Sequence, residues 1–197
     1  MQTIEIKGSL RTELGKKSSK QIRKTESVPC VIYGEGENIH FFAPELLFKN
    51  LVYTHKVHLV DLNIDGKIYK TILQDIQFHP VSDKIIHADF IKIFDDKPVV
   101  ISVPISVYGN SAGVMAGGKL SIKRRNLKIK GLPKNLPESI SIDISNLNIH
   151  DSIKVGDLAM DNIHFLDMKR TVVVTVATSR GAQKAEAGAA GGTAATK

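Results

Sequence analysis

Three polar side chains with chemical potential lie within residues 74–90, which read QDIQFHPVSDKIIHADF. Gln74 carries an amide, His87 an imidazole and Asp89 a carboxylate. Together these groups can recognise a hydrogen-bonding pattern, bind a metal ion or transfer protons. Which of these chemistries applies depends on the elements that bring the three residues together.

The stretch predicts a β-hairpin, because two apolar-rich runs flank a turn-like Pro-Val-Ser-Asp segment. Pairing Phe78 with Ile85 sets Gln74 opposite Asp89. Since strand side chains alternate between the two faces, Ile85, His87 and Asp89 share one face in this register. We therefore expect Gln74, His87 and Asp89 to lie together on one face of a sheet.

Positive charge is concentrated in two segments of this 197-residue chain, whose net charge is +7. Residues 1–24 carry seven Lys or Arg against two Glu, and residues 119–134 carry seven Lys or Arg and no acid. The remainder of the chain is therefore net acidic. Two such basic segments indicate an anionic partner.

The first basic segment predicts a short helix that runs towards Ser27, with Ser18 or Ser19 as its cap. On this helix Lys20 and Arg23 share a face. A solvated helix face is the alternative, and the lack of acids for i,i+4 pairs makes the two interpretations about equal.

The residue pattern divides the chain into two β-rich parts and a tail. Through residue 94, alternating runs and two short helical segments predict a compact β-rich unit. The polar segment 95–98 interrupts this pattern, so we place a domain boundary there, with domains at 1–97 and 98–178. Residues 179–197 are rich in Ala and Gly and are expected to be disordered.

Two features of the second domain carry structural predictions. Residues 99–107 alternate with Pro104 facing outward, which predicts an edge strand. The Gly-rich segment 109–118 contains most of a phosphate-loop pattern, but Leu120 replaces the Ser or Thr that binds magnesium, and a strand follows where a helix is required. We expect a long hairpin connection here and no nucleotide site.

The single cysteine and the absence of long apolar runs predict a cytoplasmic protein without a membrane partner. Cys30 cannot form an intramolecular disulfide, which fits a reducing compartment. It lies in the apolar run VPCVI, so a buried, inert thiol is favoured over a nucleophile. No apolar run approaches the ~20 residues that a membrane span needs, and the N-terminus lacks the apolar core of a signal peptide.

Metal binding and acid/base catalysis are weaker interpretations of the histidines. His79, His87 and Asp89 are possible metal ligands, but the predicted strand places His79 on the other face and offers no fourth ligand. An acid/base pair of His87 and Asp89 lacks a partnered nucleophile. We therefore predict no catalytic residue, no metal site and no cofactor.

The order of motifs resembles the family of bacterial large-subunit ribosomal protein twenty-five, in its long, general-stress-protein form. The matching motifs are LGKKSSKQIRK, VPCVIYG, LQDIQFHPVSDKIIHADF, VPISVYG and LPKNLPESISIDIS, and they extend over residues 3–178. The resemblance implies a mainly β protein: an N-terminal antiparallel β-barrel with two short helices, followed by a second β domain. It also implies a non-enzymatic constituent of the large ribosomal subunit that binds 5S ribosomal RNA and lies near other ribosomal proteins.

The same resemblance assigns RNA-binding residues. It implies that the RNA backbone is contacted by Arg11, Lys16, Lys20 and Arg23. It implies an RNA face formed by Tyr33, Gln74, Gln77, His79, His87 and Asp89. Lys20 and Gln21 stand where the family often has Arg, which predicts fewer bidentate phosphate contacts.

Asp89 is informative because phosphate repels a carboxylate. On an RNA face it is expected to accept a hydrogen bond from a base N–H or a 2′-OH, or to orient a nearby cation. Two other functions stay open from the residues alone: a β-domain protein whose basic patches bind an acidic protein, and an enzyme that uses His87 and Asp89.

Overall fold

A computed structural model describes residues 2–34, 36, 38–160 and 162–178. By their contacts these residues form two compact units. The first contains the described residues of 1–102 and 130–138, and the second those of 103–129 and 139–197. The Ala/Gly-rich tail that we expected to be disordered lies outside the described residues.

The first unit contains a closed six-stranded barrel, which confirms the barrel prediction. Its strands alternate between inward apolar and outward polar side chains, as where Val60, Leu62 and Ile64 are buried in the fourth strand. The strands are β1 (Thr3–Leu10), β2 (Ser27–Tyr33), β3 (Ile39–Pro44), β4 (Leu59–Ile64), β5 (Lys67–Phe78) and β6 (Ile85–Lys92). Their order around the barrel is β1-β3-β2-β6-β5-β4.

Two pairings in the barrel are parallel, so it is not wholly antiparallel as predicted. β1 runs parallel to β4, with Thr3 beside Leu59, and β2 runs parallel to β6, with Cys30 beside Ala88. Parallel neighbours require a long crossover connection, which local sequence patterns do not reveal. The β2–β6 pairing brings the N-terminal part of the chain beside the β5–β6 hairpin.

The two predicted short helices are present in the first unit. Helix α1 spans Lys16–Lys24, and a 3-10 turn at Glu45–Phe48 continues into the short helix α2 at Lys49–Val52. The predicted cap of α1 at Ser18 or Ser19 is wrong, because the helix begins after Gly15, whose φ is 123°. This left-handed backbone favours glycine and sets the entry into the helix.

The interior of the barrel is apolar and aromatic. The ring centroid of Phe90 lies 5.9 Å from that of Phe41 and 6.3 Å from that of Phe48, and all three side chains are fully buried. Cys30 is buried in the same core, and its desolvation raises the pKa of the thiol. The prediction of an inert, buried cysteine is therefore confirmed.

The β5–β6 hairpin forms, but its predicted register is correct only at the turn. Phe78 pairs with Ile85 as expected, and the register then shifts so that Gln77 opposes His87 and Asp75 opposes Asp89. The predicted pairing of Gln74 with Asp89 is wrong. The shift is a β-bulge, in which one strand carries an extra residue and its side chains change face.

Two bulges compensate each other in this hairpin. Ile86 is the extra residue of β6, and Gln74 is the extra residue of β5. As a consequence Ile85 is buried in the barrel core, with 5% of its surface exposed, and does not share a face with His87 and Asp89 as predicted.

The remainder of the described chain is again mainly β, as predicted. Its elements are β7 (Val99–Tyr108), the short helix α3 (Ala112–Met115), β8 (Lys119–Ile122), β9 (Asn126–Gly131), β10 (Ile140–Asp143), β11 (Ser152–Lys154), β12 (Ile163–Phe165) and β13 (Val172–Ala177). They form a four-stranded sheet of order β10-β7-β9-β12 and a three-stranded sheet of order β11-β13-β8. Across the described residues, no helix has the length and apolar character needed to cross a membrane.

Two predictions about this part of the chain are wrong. β7 lies between β10 and β9 and is not an edge strand; β10 pairs with Ile105–Tyr108 only, so Pro104 precedes that paired stretch. The Gly-rich segment after β7 is not a hairpin connection, because β7 and β8 belong to different sheets.

Candidate RNA interface

The outward side of β2, β6 and β5 forms a polar surface, which we call the sheet face. In β6, His87 and Asp89 point outward because Ala88 and Phe90 are fully buried. The antiparallel partner β5 places Gln77 beside His87, and the parallel partner β2 places Tyr33 beside Ile91. The sheet face consists of Tyr33, Asp75, Gln77, His87 and Asp89.

Tyr33 lies close enough to the carboxylates of the sheet face to be affected by their charge. Burial raises the pKa of the Tyr33 phenol, and the negative charges of Asp89 and Asp75 raise it further. Its hydroxyl therefore stays protonated at neutral pH and remains a hydrogen-bond donor.

His87 and Asp89 form a direct polar contact across the sheet face. His87 Nδ1 lies 2.5 Å from Asp89 Oδ1, and their side chains are 27% and 31% exposed. In this contact the Nδ1–H of His87 donates a hydrogen bond to the carboxylate oxygen. Because the contact fixes one carboxylate oxygen and the imidazole ring, it leaves Asp89 Oδ2 and His87 Nε2 as oriented groups for a ligand.

Asp75 is a residue of the sheet face that the sequence did not single out. It lies directly opposite Asp89, and its Oδ1 accepts a hydrogen bond from the Ile76 amide at 2.9 Å. Two like charges at opposed positions disfavour each other and repel phosphate. The sheet face therefore offers hydrogen-bonding groups and no cation of its own, so phosphate contacts have to come from a neighbouring element.

Helix α1 supplies that neighbouring positive charge. Ser18, Ser19 and Ile22 are its partly buried residues, and the helix contains no acid. All the cations of the helix are exposed, and no ion pair between described residues involves them. Those exposed residues are Lys16, Lys17, Lys20, Arg23 and Lys24.

Arg23 holds α1 against the hairpin. Its Nε donates to the carbonyl oxygen of Ile86 at 3.1 Å. Ile86 is the extra residue of the β6 bulge, so its carbonyl is displaced from the regular ladder and can accept this bond. The bulge therefore positions the basic helix beside His87.

Arg11 is placed at the start of α1 and not on the sheet face. Its Nη2 donates to Ser19 Oγ at 3.2 Å and Ser18 Oγ at 3.5 Å, and also to the Glu13 carbonyl at 3.4 Å. The side chain is partly buried, and its Nε has no partner among the described residues. Of the four residues predicted to contact the RNA backbone, Arg11 and Arg23 make hydrogen bonds that fix the helix. Lys16 and Lys20 are free to reach a ligand.

The other predicted residues lie at the margins of the sheet face. Gln74 is exposed at the β5 bulge, beyond the opposed pair of Asp75 and Asp89. His79 lies at the hairpin turn, where its Nδ1 accepts hydrogen bonds from the backbone amides of Val81 and Ser82, each at 3.3 Å. The ring of His79 therefore stabilises the turn through one nitrogen and exposes the other.

Among the described residues, no group of three or more His, Cys, Asp or Glu side chains is arranged to hold a metal ion. The arrangement is instead a hydrogen-bonding surface next to a cationic helix. Such a combination is typical of proteins that bind a folded RNA.

Comparison with known proteins gives matches over nearly the whole chain. The family model described as "Ribosomal L25p family" matches residues 6–90, and the model described as "Ribosomal protein TL5, C-terminal domain" matches residues 98–180. The chain is 45% identical to large ribosomal subunit protein bL25 of Phocaeicola vulgatus over 95% of its own length and 98% of that protein. It is 43% identical to the protein of the same name from Porphyromonas gingivalis over 94% of its own length and 97% of that protein.

Proposed function

The chain belongs to the ribosomal L25p family, and from that premise we propose that its barrel binds 5S ribosomal RNA. The family is one of structural, non-enzymatic ribosomal proteins, and the chain is accordingly a component of the large ribosomal subunit. The proposed location is the cytoplasm, in association with the ribosome. The RNA partner is the finer step, and the geometry of the first unit supports it.

The observation that carries the proposal is the position of a cationic helix beside an oriented hydrogen-bonding face. The major groove of an RNA helix is too narrow for side chains, whereas its minor groove is wide and shallow and displays base edges and 2′-hydroxyls. A sheet surface can lie against such a groove. The outward side chains of β2, β5 and β6 are then the groups that meet the base edges.

The two elements perform different tasks in this proposal. Lys16 and Lys20 of α1 neutralise phosphates, which attracts RNA of any sequence. His87 and Asp89 of the sheet face select RNA by hydrogen bonds. Asp89 Oδ1 is occupied by His87, so Asp89 Oδ2 is the acceptor for a base N–H or a 2′-OH.

The test of this proposal is a comparison of two RNAs. The full chain is titrated with 5S ribosomal RNA and with transfer RNA, another small folded RNA, at several salt concentrations. We expect 5S RNA to bind more tightly by at least about ten-fold, a preference of about 1.4 kcal/mol. Equal affinity for the two RNAs at every salt concentration would contradict the proposal.

We also propose that residues 1–97 form a separate RNA-binding domain and residues 98–178 a second domain. The ranges of the two matching family models support this boundary, since they lie on either side of residue 97. The isolated fragment 1–97 is expected to fold and to keep most of the affinity for 5S RNA. If only fragment 98–178 binds 5S RNA, the assignment of RNA binding to the barrel is wrong.

A further inference from the structure

The second unit brings basic residues from three separate segments to one end of its three-stranded sheet. In this sheet β13 is the central strand, and its start pairs with the end of β11, where Val172 opposes Lys154. The same start lies beside the segment that leaves β8, because the amides of Lys123 and Arg124 both donate to the Val173 carbonyl, at 2.8 and 3.3 Å. Three chain segments therefore meet at this end.

Each of the three segments contributes cations there. We call this surface the basic sheet end. All of its charged side chains are exposed. Its members are Lys123, Arg124 and Arg125 after β8, Lys154 at the end of β11, and Lys169 and Arg170 before β13.

The acids near the basic sheet end are occupied by backbone amides. Asp157 Oδ2 accepts from the Lys154 amide at 2.9 Å, and Asp167 Oδ2 accepts from the Lys128 amide at 2.9 Å. No ion pair between described residues includes any of the six cations. The positive charge of this surface is therefore not neutralised by ion pairs within the described chain.

The chemistry of the surface favours a polyanion over a protein partner. Protein interfaces are depleted in Lys but enriched in Arg, so the three Lys of this surface fit a protein partner poorly, whereas its three Arg suit either partner. Lys and Arg gathered from several strand ends, without ion pairs to acids, are typical of sites that track a phosphate backbone. Cations that repel one another in the free protein are also relieved when phosphates lie between them.

We propose that the basic sheet end is a second RNA-binding surface, which contacts the phosphate backbone of an RNA helix. It belongs to the second unit and does not involve α1 or the sheet face. It therefore adds sequence-independent affinity for any RNA that the barrel binds.

The test uses the full chain with three of its five helix cations removed by Lys16→Gln, Lys20→Gln and Lys24→Gln, so that binding through the barrel is weakened. The probe is a short RNA duplex of arbitrary sequence, titrated at several salt concentrations. Adding Arg124→Gln and Arg170→Gln is expected to weaken binding at least several-fold. It should also reduce the log–log salt slope by about 1.4 to 1.8, which corresponds to two lost phosphate contacts.

The matched control removes the same charge elsewhere. Lys119 is exposed at the opposite end of the same sheet, where it pairs with Ala177, and Lys67 is exposed at the start of β5. Lys67→Gln with Lys119→Gln is expected to leave the salt slope of the same background nearly unchanged. Thermal unfolding of each variant verifies that all of them are folded.

Three results would overturn the proposal. The first is equal loss of affinity in the test and control variants, which would make net charge the only cause. The second is no loss in the test variant, which would make the surface merely solvated. The third is tighter binding of polyglutamate than of the RNA duplex through Arg124 and Arg170, which would assign the surface to an acidic protein.

Discussion

Helix α1 and the sheet face lie side by side on the barrel but have opposite charge. The helix contains no acid and exposes its cations, whereas the sheet face has two opposed carboxylates, Asp75 and Asp89. An element that attracted phosphates through its whole surface would not need those carboxylates. If the barrel binds RNA as proposed, this difference predicts that affinity and selection reside in different elements, which Arg23 holds together through Ile86.

The largest expected effect comes from a substitution in the barrel core, away from both surfaces. Phe90→Ala removes the ring that packs between Phe41 and Phe48, and should lower the free energy of unfolding by about 3–5 kcal/mol. Phe78→Ala is the matched control, because Phe78 is 41% exposed near the hairpin turn. Chemical denaturation of both variants measures the difference, and equal losses would mean that the barrel core does not support the sheet face as described.

The next effect comes from removing three of the five exposed cations of the helix. Lys16→Gln, Lys20→Gln and Lys24→Gln together should weaken binding of every RNA, on the order of 10²-fold at low salt, and reduce the salt slope by about 2 to 3. The free energy of unfolding should hardly change, since these side chains are exposed. Titration of 5S RNA and transfer RNA checks this expectation. A loss confined to 5S RNA would assign selection to the helix and contradict the proposed division of tasks between the helix and the sheet face.

The smallest effect concerns the opposed carboxylates. Asp75→Asn removes a like-charge pair across β5 and β6, and should raise the free energy of unfolding by about 0.2–1 kcal/mol. Asp61→Asn is the matched control without an expected gain, because Asp61 lies between Lys70 of β5 and Glu5 of β1, whose opposite charges offset each other. Denaturation at low and high salt should show that the changes in unfolding free energy of the two variants become more alike as salt screens the charges. A destabilised Asp75→Asn variant would show that Asp75 is held by favourable contacts.

Much of this arrangement follows from residue patterns, and its failures have identifiable causes. The alternation of β4 and the Phe78–Ile85 pairing were predictable, because hydrophobic period and turn residues specify them. The bulges at Ile86 and Gln74 were not, because no residue type there demands an extra position. One unnoticed bulge was enough to misplace Ile85 and to hide Asp75 opposite Asp89.

The role of the arginines also could not be predicted from the sequence. A run of cations predicts a basic ridge but does not distinguish side chains that reach solvent from those that fix the helix. Arg11 binds Ser18 and Ser19 at the start of α1, and Arg23 binds a carbonyl that only the bulge makes available. The sequence showed only part of the basic sheet end, the cations within residues 119–134, because Lys154, Lys169 and Arg170 reach this end from other segments.

We propose that the helix provides sequence-independent attraction and that the sheet face provides selection. Affinity against salt for Asp89→Asn and Lys20→Ala, on 5S RNA and on transfer RNA, tests it most directly. Lys20→Ala should weaken both RNAs similarly and reduce the salt slope by about 0.7 to 0.9, as one lost phosphate contact requires.

Asp89→Asn keeps the shape of the side chain but replaces one acceptor oxygen with a donor. It should cost about 1–3 kcal/mol for 5S RNA, with little change for transfer RNA and little change in salt slope, because hydrogen bonds to bases or 2′-hydroxyls release no counterions. If Asp89→Asn binds 5S RNA as tightly as the unsubstituted chain or more tightly, Asp89 does not read the RNA. Selection by the sheet face would then be contradicted.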